Sequence, residues 1–295
     1  MPTIIEMFGM RPVKLVKPDK YFVTQPQVPE RVESLRSVGI EVEVENALNV
    51  RGVPSGVWQP TNDGSLRNNG MEYITHPIQG RWAPYALREL MTEVFPDDCC
   101  FSPRTSVHVH VNCQDLTPVQ VTDIVLLYGC LEPLFYQFTG RGRVKNIYCV
   151  PIFDTNLIPF FTTKKLENAV NEWKKYTGFN LLPLLDKGTL EFRHMHGTFD
   201  HQKLSVWVRL ILKMVDYAVA QGTPTIRRMV LALNRQSDLF GMLMAIFGDD
   251  GLLFKNVEWE LLEKAVGNTK LAFMKQETQA ALTVERTTKS AYFIK

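Results

Sequence analysis

The sequence predicts an α+β fold in which a mainly antiparallel sheet is flanked by helices. Three observations predict it. Four segments alternate apolar and polar residues with a period of two, which is typical of half-buried strands. Segments with helical periodicity separate these strands. After Asp200 the pattern turns helical.

Each of the four predicted strands carries, on one face, residues that cost free energy to bury unless they are paired or coordinated. In the first, "GIEVEVE", Ile40, Val42 and Val44 alternate with glutamates at positions 41, 43 and 45. The other strands follow as "GMEYITHP" with Glu72, "SVHVHVNC" with His108, His110 and Asn112, and "GTLEFRHMHG" with Glu191 and Arg193. Because successive side chains of a strand point to opposite faces, these polar residues stand on one side of each strand.

Helices are predicted between and after the strands, over residues 82–95, 118–138, 164–176, 201–222, 224–247 and 256–282. Thr117 is the expected N-cap of the second helix, since Pro118 suits a first helical position. The predicted organisation has three parts. Residues 1–36, rich in proline and charge, form an extended lead-in; residues 37–200 form the core; residues 201–295 form a helical region packed on that core.

Composition excludes few function classes. The chain has 33 basic and 31 acidic residues and a formal net charge of +2, which neither indicates nor excludes nucleic-acid binding. No apolar run approaches the ~20 residues of a membrane span, and no signal peptide is evident, so a cytoplasmic chain without membrane contact is expected. Its five cysteines show no C-x-x-C spacing, so neither a disulfide framework nor a zinc ribbon is indicated.

The polar strand faces have two interpretations. The simpler interpretation is that these faces contact solvent, because antiparallel sheets commonly expose one face to it. The residue types favour the other, because carboxylates, imidazoles, an amide and an arginine occupy these faces and lysine does not. Converging glutamates would repel one another unless cations lay between them, and Mg²⁺ or Mn²⁺ takes carboxylate oxygens with an occasional imidazole.

Two further motifs stay open on the residues alone. The pair His108-x-His110 could be a zinc pair, although no third histidine or cysteine supports that site; the other histidines are interpreted as structural. The loop "TGRGRVKNIYC" places Arg141 and Arg143 among glycines, which suits a phosphate clamp but equally a solvated loop after a helix.

Taken in order, "GIEVEVE", "NDGSL" with "GMEYITHP", "HVHVN", the arginine loop ending in "NIYC", and "TLEFR" with "HGTFD" resemble the amidoligase family over residues 38–200. Its members are carboxylate-amine ligases with a fold like glutamine synthetase and glutamate-cysteine ligase. The resemblance implies a curved antiparallel sheet whose concave face holds divalent metals and ATP. It also implies a phage or bacterial origin, with the host cytoplasm as the location if the gene is phage-encoded.

The resemblance assigns expected roles to individual residues. The expected metal ligands are Glu41, Glu43, Glu72, His108 and Glu191. The expected nucleotide-binding residues are Arg141, Arg143, Arg193 and His110. Arg193 would also contact the transferred phosphate or the acyl phosphate, and Asp63 would accept the amine's proton. Asp63 and Asn112 would lie on the substrate side.

The function implied is an ATP- and Mg²⁺-dependent ligase, with Mn²⁺ as the alternative cation, that forms an amide or isopeptide bond through an acyl phosphate. Its partners would be a small-molecule or peptide carboxylate and an amine, and an oligomer stays open. Two rivals use the same fold: a guanidino-kinase-like phosphotransferase, which stops at the phosphorylated product, and a non-catalytic binding or structural protein.

Overall fold

The computed structural model describes residues 1–47, 52–152, 155, 160, 165–257, 260 and 262–274. Its strands are β1 Ser37–Val44, β2 Trp58–Thr61, β3 Met71–Thr75, β4 Ile78–Gln79, β5 Ser106–Asn112, β6 Phe179–Asn180 and β7 Thr189–His196. Its helices are Ile4–Phe8, Asp19–Phe22, Ala83–Glu89, Pro118–Thr139, Leu166–Asn171, His201–Gln221, Thr223–Ala232 and Gln236–Phe247, with a further helix at 262–274.

The strands form one open sheet in the order β2-β3-β1-β5-β7-β6, and β4 pairs with one end of β1. Every pairing between these strands is antiparallel. The α+β class and the antiparallel sheet are thus confirmed. The four predicted strands are β1, β3, β5 and β7, and they lie side by side in the middle of the sheet, where their polar faces can combine.

One face of the sheet forms the core together with the helices. Val38, Ile40, Val42 and Val44 of β1 are at most 1% exposed, as the alternation predicts. On β7, Phe192 is fully buried, and helix Pro118–Thr139 supplies rings near it, with centroids 6.1 and 6.3 Å away. Helices therefore cover the apolar face, and the opposite face carries the polar residues.

Helix Pro118–Thr139 begins as predicted, with the Thr117 hydroxyl accepting a hydrogen bond from the backbone of Gln120 and proline at its first position. By length and composition alone it could also cross a membrane, contrary to the expectation that no segment reaches that threshold. Its most apolar window is 83% buried by the rest of the protein. A core helix of a folded domain explains that burial.

Two of the other predicted helices differ from the structure in length or continuity. The stretch predicted over 164–176 is helical at Leu166–Asn171 among the described residues, and the stretch 224–247 is two helices with a break around Asn234. At that break the carboxylate of Asp238 accepts hydrogen bonds from the backbones of Asn234 and Arg235, which caps a new helix. The helix predicted over 256–282 lies partly outside the described residues. The division into lead-in, core and C-terminal region stays a prediction.

Candidate active site

Strand register brings the polar faces of four strands into contact. β1 lies between β3 and β5, so that Glu43 pairs with Glu72 and Glu41 pairs with His108. β7 continues the series, with Glu191 opposite His110 on β5. Side chains directly opposite one another in an antiparallel pair lie close together. The four faces therefore form one continuous polar surface.

This surface is the floor of a cavity of about 560 Å³. Its carboxylates are Glu41, Glu43, Asp63, Glu72, Asp186 and Glu191, its cations and imidazoles are Arg104, His108, His110, Lys175, Lys187 and Arg193, and its other lining residues include Ser106, Tyr148, Tyr176 and Asn180. Glu43, His108, His110 and Glu191 are each only 4% to 6% exposed. The solvated-face interpretation is therefore wrong for these residues.

The first ligand group consists of Glu41, His108 and Glu191, each of which offers a donor atom within 4.8 Å of the other two. Nδ1 of His108 lies 3.1 Å from Oε2 of Glu41 and 3.6 Å from Oε1 of Glu191. His110 adds a second imidazole to this group, with Nε2 3.1 Å from Oε1 of Glu41.

The second ligand group consists of Glu43, Glu72 and His108, again within 4.8 Å. Ser106 links two of its members. Its backbone N–H and its hydroxyl donate to Oε2 of Glu43 at 2.8 and 2.7 Å, and the hydroxyl lies 2.7 Å from Nε2 of His108. His108 is thus common to both groups.

These contacts test whether the residues fit a divalent cation. Because the Ser106 hydroxyl donates its only hydrogen to Glu43, Nε2 of His108 must donate to Ser106. Nδ1 of His108 faces the two carboxylates of the first group. As an N–H it donates to Glu41, and as a lone pair it can bind a cation that lies between the carboxylates. One imidazole nitrogen and several carboxylate oxygens are a donor set that Mg²⁺ or Mn²⁺ accepts. The residues fit the cation.

The carboxylates are in different electrostatic environments. Burial opposes ionisation of Glu41, but hydrogen bonds and attraction from His108 and His110 outweigh it and hold the pKa of Glu41 well below its usual value. Burial likewise opposes ionisation of Glu191, whose pKa is nevertheless lowered by His110, Arg193 and His108. Each of these two carboxylates is thus ionised at neutral pH.

Glu72 behaves in the opposite way. Burial, followed by repulsion from Glu41, Glu43 and Asp63, raises the pKa of Glu72 to about 8. Without a cation, the cluster therefore holds a proton on Glu72 near neutral pH. A cation bound between these glutamates would remove the repulsion that keeps the proton there.

Arg193 forms part of one wall of the cavity and is held in place by its neighbours on the sheet. Its Nη1 donates to Oε1 of Glu191 at 2.5 Å, and its Nε lies 3.5 Å from the carbonyl oxygen of Tyr148. The side-chain amide of Asn180 donates to the other oxygen of Glu191 at 2.6 Å. The guanidinium is thereby fixed at the edge of the ligand groups.

Most of the predicted site residues come together in this cavity. Asp63 lines it from the turn "NDGSL", where its carboxylate also accepts a hydrogen bond from the backbone of Ser65. The roles assigned to these residues stay predictions. What the structure adds is that Glu41, Glu43, Glu72, His108, His110, Glu191, Arg193 and Asp63 share one cavity.

Two of the predicted site residues do not line this cavity, and the side chain of a third is not described. Arg143 turns away from the cavity, because its guanidinium donates to the backbone carbonyls of His194 and Arg193 at 2.7 and 2.9 Å. Asn112 lines a smaller adjacent cavity of about 230 Å³. Its side-chain oxygen accepts from the backbone of Gln114. The side chain of Arg141 is not among those the structure describes.

The sequence patterns missed several residues that hold the ligands. Ser106 and Thr189 orient His108 and His110; the Thr189 hydroxyl lies 3.0 Å from Nδ1 of His110. Both stand on the same strand faces as the predicted ligands, two residues further out, so the period-two pattern could have found them. Asn180 and Lys187 lie in short or irregular segments that have no such signal.

The histidines interpreted as structural do not line the cavity. His194 is fully buried, and its Nε2 lies 2.7 Å from the hydroxyl of Tyr128. Burial and the charge of Arg143 hold the pKa of His194 well below its usual value, so the ring is neutral in the core.

Comparison with known proteins gives one family match. Residues 87–215 match the family model described as "Putative amidoligase enzyme". The match confirms the resemblance to the amidoligases over just under half of the chain. It includes β5 and β7 with their imidazoles, Glu191 and Arg193, but not the glutamates of β1 and β3. The strand register places those glutamates beside the residues that the family model matches.

A solved structure titled "Apo GmaS without ligand" is also similar. It shares 13% sequence identity with this chain, and the alignment covers 86% of this chain and 70% of the other, with a TM-score of 0.33. No curated protein matches. The family match supports a ligase-type function.

Proposed function

We propose that this amidoligase relative is an ATP-dependent carboxylate-amine ligase that uses Mg²⁺, or Mn²⁺, and forms an amide or isopeptide bond through an acyl phosphate. One observation carries the proposal. Glutamates from three strands converge on His108, with Arg193 beside them, in a single cavity of about 560 Å³. A cavity of that volume lies within the range of small-molecule sites.

Joining a carboxylate to an amine in water is unfavourable, so the carboxylate must first be activated. In the proposed reaction a carboxylate oxygen attacks the γ-phosphorus of ATP, the bond to the bridging oxygen breaks and ADP leaves. The amine nitrogen then attacks the acyl carbon, phosphate leaves, and the nitrogen gives up a proton. Both steps move negative charge among phosphoryl oxygens.

The chain's own residues have distinct roles in this proposal. Glu41, Glu191 and Nδ1 of His108 would hold one cation, and Glu43 and Glu72 would supply carboxylates for a second. A bound divalent cation neutralises phosphoryl oxygens. Arg193, held by Glu191, would donate its remaining N–H groups to the phosphoryl group in transfer. Asp63 would accept the proton from the amine.

The experiment separates activation from bond formation. Purified protein is incubated with Mg²⁺, ATP, a panel of mono-, di- and amino-carboxylates, and hydroxylamine as the amine. The expected result is carboxylate-dependent release of ADP together with a hydroxamate, detected by mass spectrometry. Arg193→Lys should abolish both while the fold stays intact, and the matched surface variant Arg228→Lys should behave as wild type.

Two results would count against the proposal. If a phosphorylated product accumulated without any new C–N bond, the kinase alternative would apply. If Mg²⁺ and ATP did not bind by calorimetry, the fold would serve as a binding or structural protein.

A further inference from the structure

Two cationic side chains, Arg104 and Lys175, line the cavity at one end of the sheet. Arg104 comes just before β5, whose first residue pairs with the last residue of β7, His196. Lys175 precedes β6, which runs antiparallel to β7, and the backbone N–H of Arg193 donates to the carbonyl of Gly178 at 2.7 Å. Both cations therefore lie beyond Arg193, at the end where β7 finishes.

These two cations differ from the other cations of the cavity in their partners. Arg193 donates to Glu191, and Nζ of Lys187 lies 3.8 Å from Oε1 of Glu41. Within the described parts of the chain, neither Arg104 nor Lys175 forms an ion pair with a carboxylate. Cations left without a counter-charge in a cleft create a positive potential that attracts an anion.

An aromatic pair stands beside these cations. The rings of Tyr148 and Tyr176 lie 5.4 Å apart in an edge-to-face arrangement, and Nζ of Lys175 lies 5.7 Å from the centre of the Tyr176 ring. Both tyrosines line the cavity and are 43% and 47% exposed. Large aromatic faces left exposed in a cavity wall suit the carbon chain of a bound molecule.

We propose that the carboxylate substrate carries a second anionic group, which Arg104 and Lys175 bind while the two tyrosines contact its carbon chain. The inference rests on the proposed function, since it assumes that one carboxylate of the same molecule is activated beside Arg193. The substrate class is then an acidic acyl donor, of which a dicarboxylate is the simplest case. Monocarboxylates with apolar chains, such as fatty acids, should bind less tightly than diacids of the same chain length.

The test measures binding and needs no turnover. Protein with Mg²⁺ and a non-hydrolysable ATP analogue is titrated calorimetrically with three matched pairs: succinate and butyrate, glutarate and pentanoate, adipate and hexanoate. Within each pair the chain length is equal and only the second carboxylate differs. At least one diacid should bind about tenfold more tightly than its monoacid, as a charge-assisted pair of hydrogen bonds allows.

The double variant Arg104→Gln/Lys175→Gln should lose that preference, so that the ratio of affinities falls to about one. The variant Arg228→Gln/Lys255→Gln removes the same charge from residues outside this cavity and should keep the preference.

Three outcomes would overturn the proposal: no pair shows a preference for the diacid, the preference survives in the double variant, or the double variant weakens binding of the ATP analogue instead. A failed ligase assay would leave these titrations interpretable, so the two proposals fail separately.

Discussion

At His108 the two ring nitrogens face different halves of the carboxylate cluster. Nδ1 faces Glu41 and Glu191, whereas Nε2 meets the hydroxyl that also binds Glu43. One imidazole thereby couples both ligand groups, and its orientation depends on a single serine. Partners that orient a ligand histidine commonly matter almost as much as the ligand itself.

Replacing that serine tests the coupling. Ser106→Ala removes the acceptor for Nε2 and one donor to Glu43, so His108 can rotate or change tautomer. The affinity for Mn²⁺, measured by calorimetry, should fall by about 10- to 100-fold. Ser237→Ala, on an exposed residue outside the cavity, is the matched control. An unchanged affinity in Ser106→Ala would mean that the serine has no part in cation binding.

Glu72 gives a prediction about pH. Its pKa is about 8 in the fold, against an ordinary value of 4.5, because of burial and the neighbouring carboxylates. A raised carboxyl pKa contributes stability that is fully present below pH 4.5 and is lost as the pH rises through about 8. The metal-free protein should therefore lose stability over that interval.

Glu72→Gln keeps the shape of the side chain and cannot ionise. At pH 9, with a chelator present, this variant should be more stable than wild type by about 1 to 2 kcal/mol, after allowance for solvent screening of a partly exposed group. Denaturant unfolding at pH 5 and pH 9 measures the difference, which should shrink at pH 5. Equal stabilities at pH 9 would show that repulsion does not act on Glu72.

Among the larger elements, helix His201–Gln221 is tied to the end of helix Gln236–Phe247 by Asp250. Arg209 donates two hydrogen bonds to the Asp250 carboxylate, at 2.8 and 2.6 Å, and Lys213 donates a third at 2.7 Å. Lys213 also donates to the carbonyl of Phe247 at 2.7 Å. Burial opposes ionisation of Asp250, but these donors hold its pKa below 3.8.

Asp250→Asn should therefore destabilise the protein by about 1 to 2 kcal/mol at pH 7, since hydrogen bonds to charged groups are lost. A lowered carboxyl pKa contributes stability above its unfolded value, and that stability is lost as the pH falls through the folded value. The difference between variant and wild type should accordingly shrink as the pH falls below 3.8. Urea unfolding checks both points, and Asp249→Asn, on the exposed neighbouring residue, should have little effect.

An element can be predicted from the sequence where its apolar and polar residues alternate with a clear period. The alternation in "GIEVEVE" and "HVHVN" identifies which side chains share a face, because that follows from local backbone geometry. It does not give the register that pairs Glu41 with His108, which depends on contacts between distant segments. The arginine loop has no such period, so the sequence does not show that the Arg143 guanidinium donates to backbone carbonyls some 50 residues later.

In the whole molecule, the candidate site joins strands that are far apart in the chain. β1 and β7 are separated by more than 140 residues, yet Glu41 and Glu191 both contact His108 on β5. A cation bound among them would link these strands, and it could not bind with comparable affinity to the unfolded chain. Ligand binding should therefore be visible as stability of the entire fold.

The prediction is that Mn²⁺ with a non-hydrolysable ATP analogue raises the melting temperature. At a concentration 100 times the dissociation constant, the gain is about 2.7 kcal/mol, or roughly 4 to 8 °C for a chain of this size. Glu41→Gln/Glu43→Gln should abolish the rise because each ligand group loses a carboxylate, whereas Glu167→Gln/Glu263→Gln, on exposed residues outside the cavity, should keep it. Chelator added to the wild-type complex should return its melting temperature to the metal-free value. If the Glu41/Glu43 variant gained as much as wild type, the cation would bind somewhere other than this sheet, and the assignment of these glutamates would be wrong.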